Sequence, residues 1–119
     1  MLVQLYHNPN CSKSRQTLAL LQQQGIEPEI ICYLSHRFNL AELTRLKQQL
    51  QFSSVRQMMR VKEQCYEQLG LHNEHLSEQD LLQAIIQNPI LLERPIVVKG
   101  EQAKIGRPPE AVLALFTST

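Results

Sequence analysis

Residues 6–15 read YHNPNCSKSR, and the side chains able to do chemistry at short range are gathered there. Cys11 follows the turn-forming Asn8-Pro9-Asn10 and precedes a helix-favouring run, with His7 four residues before it and Arg15 four after. A redox dithiol of the Cys-x-x-Cys type would carry its second sulfur at position 14, which is Ser14. The stretch therefore offers one thiol. Where a loop gives way to a helix, the free N–H groups of Ser12 to Arg15 and the helix dipole stabilise both a thiolate and a bound oxyanion. A single cysteine is more commonly a small buried hydrophobe, but a position between a polar turn and a helix start favours the reactive reading. For His7 the residues leave three roles open: a polar loop histidine, an imidazolium beside the thiolate, or a group acting through an intervening hydroxyl or water.

Tuning the thiol alone accomplishes little. A thiol moved from a pKa of ~8.5 to ~6.5 gains roughly 25-fold in thiolate at pH 7. The accompanying loss of nucleophilicity removes roughly 6- to 10-fold of that gain. Catalysis must come mostly from holding an electrophile and its charge, worth ~3–4 kcal/mol per good donor. With 12 Lys and Arg against 11 Asp and Glu, the net charge of +1 argues against a nucleic-acid binder working by bulk electrostatics. A few positioned cations must supply any affinity for anions.

The remaining thiols, Cys32 and Cys65, read as packing residues in a strand and a helix. Three cysteines without metal-type spacing predict no metal site. Met1 to Tyr6 reads as too short for a secretory leader and lacks a basic start, and no apolar run is long enough to span a bilayer. The expectation is a cytoplasmic protein with free thiols, no membrane association and no nucleic-acid partner.

The elements that must position Cys11 follow from local patterns. Leu2 to Tyr6 predicts a first strand, HNPN a loop, and Ser12 to Gln24 a helix ending at Gly25. Glu29 to Tyr33 predicts a second strand, parallel to the first. Asn39 and Glu42 have capping spacing ahead of Leu40, Leu43, Leu46 and Leu50. Ser54 with Gln57 opens a shorter helix through Met58 and Met59, and Val61 to Leu69 continues it or forms another. Ser77 and Asp80 cap a helix that Asn88-Pro89 ends. Residues 94–98 and 103–105 predict a hairpin, and Pro108-Pro109 lead into a helix over 110–116. The final Thr117-Ser118-Thr119 reads as a frayed end. The expected class is α/β: a thioredoxin-like (glutaredoxin-like) fold over 1–119 as one domain. Its four-stranded mixed sheet carries an enlarged helical insertion before the terminal hairpin and helix.

Five pieces in order carry a resemblance: YHNPNCSKSR, YL at 33–34, MMRVK at 58–62, NPILLERPIVV at 88–98 and GRPPE at 106–110. In them the chain resembles the ArsC family of glutaredoxin-dependent arsenate reductases, including its YfgD-like branch, from Leu2 to Phe116. The resemblance implies that Cys11 is the catalytic thiol and that His7 assists its ionisation. It implies that Arg60, Arg94 and Arg107 hold the oxyanion, with Ser14 and Arg15 at the helix start beside it. It places a cis-proline at Pro95. Arsenate is then the substrate, glutathione a co-substrate with no bound cofactor, and glutaredoxin the partner of a monomer. Guanidinium forks suit such a tetrahedral oxyanion.

Two other readings stand beside it. Spx-type regulators, which bind RNA polymerase, share the fold but usually carry the second cysteine that Ser14 replaces. A glutathione-dependent oxidoreductase with another substrate would need the same thiol. A phosphatase-like Cys-x5-Arg cradle is excluded, because Arg15 follows Cys11 after only three residues.

Overall fold

The computed structural model describes residues 2–116, so the reading of Thr117 to Thr119 lies outside the described residues. Those residues form two compact units, one of 2–33 with 94–116 and one of Leu34–Glu93.

In the first unit, strand β1 (Val3–His7) lies at the centre of a sheet ordered β2-β1-β3-β4. It pairs parallel with β2 (Glu29–Cys32) and antiparallel with β3 (Ile96–Lys99), which pairs antiparallel with β4 (Gln102–Ile105). This is the expected mixed sheet. Helix α1 (Ser12–Gln23) connects the parallel pair, as a parallel connection requires. It ends in a Schellman motif: Ile26 N–H donates to Leu21 O, and Gly25 N–H to Gln22 O, with Gly25 at φ 76°. Leu21 and Ile26 thereby enter one apolar cluster with Val3, Leu5, Val97, Val112 and Leu115.

Three expectations change. The first strand runs Val3–His7 rather than Leu2–Tyr6, so His7 belongs to the strand and not to the loop. The second strand is one residue shorter than 29–33 and sits at the sheet edge, so Ile30 and Cys32 are exposed. Cys32 is not a packing residue, because an edge strand covers only what its single neighbour reaches. The terminal helix is a 3-10 helix, Pro109–Phe116, burying Pro109, Val112 and Leu115. That three-residue repeat fits three residues per turn. Lys99 secures its end, donating to Leu115 O at 2.8 Å with the ammonium 5.1 Å from the centre of the Phe116 ring.

The second unit is helical. In α2 (Leu40–Leu50), Asn39 accepts the Glu42 N–H and Leu43, Leu46 and Leu50 are buried. A 3-10 turn, Val55–Met58, follows the capping box of Ser54 and Gln57, and α3 is short (Gln64–Gln68). Ser77 and Asp80 form the capping box of α4 (Glu78–Gln87), which packs against α2. Met59 leaves the helical path and bridges Leu92. The Arg56 guanidinium donates to Tyr66 Oη, Leu71 O and Asn73 O, fixing the turns that follow α3.

Glu78 holds the start of the 3-10 turn. Its carboxylate accepts the Val55 N–H at 2.8 Å and lies 3.0 Å from Lys47 Nζ. Burial acts to raise its pKa, but the Val55 N–H, Lys47 and Ser54 outweigh it and hold the carboxyl below its usual range. A depressed folded-state pKa stabilises above the unfolded value, and the gain disappears as pH falls through the folded one. Glu78→Ala is therefore expected to cost about 1 kcal/mol near neutral pH, the usual loss for a helix cap, since a partly exposed ion pair adds little. Urea unfolding checks it, and the gap from the parent should narrow as pH falls below 4.5.

Candidate active site

Cys11 is the N-cap of α1, with extended backbone (φ −102°, ψ 123°) and no side-chain cap of its own. Its N–H donates to Asn8 O at 3.0 Å, and its carbonyl accepts the Arg15 N–H at 3.0 Å. The turn is held further by Asn10 N–H donating to Asn8 Oδ1. The thiol thus lies at the open end of a 12-residue helix with no acidic residue in its first turn, where the dipole favours an anion. Burial of the half-exposed thiol acts to raise its pKa. Hydrogen bonds from the Ser14 N–H, the Arg94 side chain and the Lys13 N–H, with the Arg94 charge, more than offset this and leave Cys11 below an ordinary thiol.

Arg94 and Arg107 are brought to this sulfur from 83 and 96 residues along the chain (94 − 11 and 107 − 11). Arg94 directly precedes the cis Arg94–Pro95 peptide; Arg107–Pro108 is cis as well. Nε and Nη1 of Arg94 are buried, so its charge acts in a poorly solvated place where electrostatics are strong. Arg107 is exposed; its Nε donates to Arg94 O at 2.8 Å and its Nη2 approaches Cys11 Sγ at 3.9 Å. Water screens Arg107, and Arg94 is the cation that sets the thiol.

His7 turns toward Ser14. Its Nδ1 lies 2.5 Å from Ser14 Oγ, which also accepts the Asn8 N–H at 3.0 Å. Burial first, then the Arg15 charge, lower the His7 pKa and so favour the neutral ring. The ring's Nδ1 is engaged by the Ser14 hydroxyl. Ser14 is fully buried with its hydroxyl enclosed by His7 and Asn8. What it offers an anion is its main-chain N–H. Arg15 is exposed and donates to Pro9 O at 2.8 Å, bracing the loop.

Arg60 belongs to the other unit and sits in a loop, not a helix. Its Nε is 3.1 Å from Glu63 Oε1 and its Nη1 3.7 Å from Glu93 Oε1. Cys65 is half-buried in α3. Among the described residues no three His, Cys, Asp or Glu side chains are grouped as metal ligands would be, and no helix is long and apolar enough to cross a membrane. Reading the sequence passed over Asn8, Thr17 and Gly106. Thr17 is fully buried in α1 and Gly106 is buried just before Arg107. The one available signal was a glycine immediately before an Arg-Pro-Pro.

A thiol at a helix start, beside a cis-proline segment on a β2-β1-β3-β4 sheet, defines the thioredoxin-like class. The chain belongs to the ArsC family, whose profile matches residues 6–115. It is 50% identical over 116 residues to an arsenate reductase of Haemophilus influenzae, covering 98% of this chain and 100% of that one. It is 50% identical over 113 residues to the Escherichia coli K12 protein YfgD, covering 95% of each. A solved arsenate reductase from Vibrio cholerae superposes with a TM-score of 0.94 at 54% identity, over 96% of this chain and 97% of that one.

Proposed function

We propose that this protein reduces arsenate to arsenite through Cys11, with glutathione and glutaredoxin supplying the electrons. The observation that carries the reading is the Cys11 thiol itself. It is held below its usual pKa by main-chain N–H groups and Arg94, with Arg107 at 3.9 Å. These groups suit a tetrahedral oxyanion next to a nucleophile. The Haemophilus influenzae relative, 50% identical, is named an arsenate reductase, which supports arsenate as the substrate.

The Cys11 thiolate attacks arsenic(V), forming an S–As bond, and one arsenate oxygen leaves as water after protonation. Glutathione thiolate then attacks Sγ of Cys11. The S–As electron pair stays on arsenic, which becomes arsenic(III) and departs as arsenite, leaving a Cys11–glutathione disulfide. Glutaredoxin thiolate takes the glutathionyl group and returns Cys11. Arg94 and Arg107 hold the arsenate oxygens and offset their charge. Neutral His7 fixes Ser14, and through it the N–H that faces the sulfur. Arg60, with its two carboxylate partners, is left outside these steps.

The test is NADPH oxidation coupled through glutathione reductase, glutathione and glutaredoxin, with and without arsenate. Arsenate-dependent oxidation is expected; its absence at high enzyme concentration sinks the proposal and leaves the regulator and other-substrate readings. Since both further thiols arrive from outside, Cys32→Ser and Cys65→Ser should each retain turnover within about twofold, surface and half-buried changes of this size being mild. A collapse in either would point to an internal disulfide step.

A further inference from the structure

Gly25, Gly70 and Gly100 have positive φ, but Gly106 does not. Its backbone conformation is open to any residue, so something else requires a glycine there. A Cβ at position 106 would lie 2.5 Å from Thr17 Oγ1, 2.8 Å from Pro95 Cγ and 3.4 Å from Thr17 Cγ2. The first two separations are shorter than side chains tolerate. Thr17 has little freedom to retreat: it is fully buried and its hydroxyl donates to Lys13 O at 2.9 Å.

Three segments meet at this contact, and each delivers something to Cys11. Thr17 stands one turn beyond Lys13 and Ser14, whose N–H groups face the sulfur. Pro95 follows Arg94, and its carbonyl accepts the Gly106 N–H at 2.9 Å. Gly106 precedes Arg107, which closes a second bond onto Arg94 O at 2.8 Å. The pair of bonds clips residues 94–95 to 106–107, and the bare face of Gly106 lets the clip lie flat against α1.

We propose that Thr17 and Gly106 are positioning residues, whose contact, completed by Pro95, seats Arg94 and Arg107 against the helix start that carries Cys11. This rests on reading Cys11 as the reacting thiol and the two arginines as its cations. It adds why a threonine and a glycine that touch no substrate are needed.

The test uses the full chain with Cys32→Ser and Cys65→Ser, so that alkylation by neutral iodoacetamide reports on Cys11 alone. The pH profile of that rate is measured beside the thermal midpoint. Gly106→Ala is expected to move the profile to higher pH, slowing alkylation at pH 7 by about threefold or more through lost thiolate, while the high-pH plateau stays within twofold. Thr17→Ala placed on Gly106→Ala removes two of the three close contacts and should move the profile part of the way back. A folded Gly106→Ala with the parental profile overturns the proposal, and so does a double variant showing no recovery. If Gly106→Ala does not fold, Thr17→Ala alone decides: the void it opens should also raise the profile, and an unchanged one overturns the idea. A parent that alkylates with a low midpoint yet turns over no arsenate removes the proposed function and leaves this result standing.

Discussion

Cys11→Ser is expected to lose arsenate-dependent NADPH oxidation by at least about 10³-fold, the scale on which removal of a sole nucleophile acts. A serine hydroxyl is not ionised at neutral pH and forms no stable bond that glutathione could cleave reductively at arsenic. The helix N–H groups and both arginines would remain, so arsenate should still bind. The thiol is half-exposed at a helix start, and the substitution should leave unfolding free energy within about 1 kcal/mol of the parent. Equilibrium binding of arsenate to the variant, measured beside the coupled assay, separates loss of chemistry from loss of the site. Retained turnover would remove Cys11 from the mechanism.

The second large effect is Arg94→Ala. Its guanidinium is the side chain that both hydrogen-bonds and electrostatically favours the Cys11 thiolate. Two consequences should separate by pH. Arsenate kcat/KM should fall by about 10²–10³-fold, the ~3–4 kcal/mol of one well-placed oxyanion donor, and should not recover as pH rises. Iodoacetamide alkylation should slow at pH 7, since a thiol whose pKa rises carries less thiolate there, and should regain the parental plateau once pH passes the ordinary thiol value. Arg94→Lys keeps the charge but not the planar fork, so it should restore more of the thiol profile than of the arsenate turnover. Equal losses in both reactions at every pH would make Arg94 a purely structural residue.

What the sequence made legible follows from how local each cause is. Caps at Asn39, Ser54 and Ser77 were readable because the cap and its partner lie three residues apart. Gly25 was readable because a helix followed by glycine has one common ending. The hairpin of 96–105 and the isolated thiol belong to the same kind. Features fixed by long-range packing were not readable. Periodicity over 109–116 does not separate a 3-10 from an α helix in so short a span. Whether residues 29–32 lie at an edge or in the middle of a sheet depends on which strand pairs next, and this decided the exposure of Cys32. His7 is the instructive case at the site. Its four-residue separation from Cys11 left several roles open, and the partner its ring meets, Ser14, lies seven residues along on the helix. Arg60 was grouped with Arg94 and Arg107 through resemblance alone, and nothing in MMRVK foretells Glu63 and Glu93 as its partners. Thr17 and Gly106 were overlooked because close approach leaves no trace in the spacing of a sequence.

The thiol and Arg107 are 96 residues apart, and Arg94 enters with the third strand. A ribosome-bound chain that has not yet reached position 94 has Cys11 but neither cation. Its 12-residue α1 is too short to persist well in isolation, so even the main-chain donors are poorly formed. The newborn cysteine therefore has an ordinary thiol's pKa, which falls only as residues 94–107 fold onto the start of α1. The lowered pKa of Cys11 is in this sense a late property, withheld until Arg94 and Arg107 have both been added to the chain.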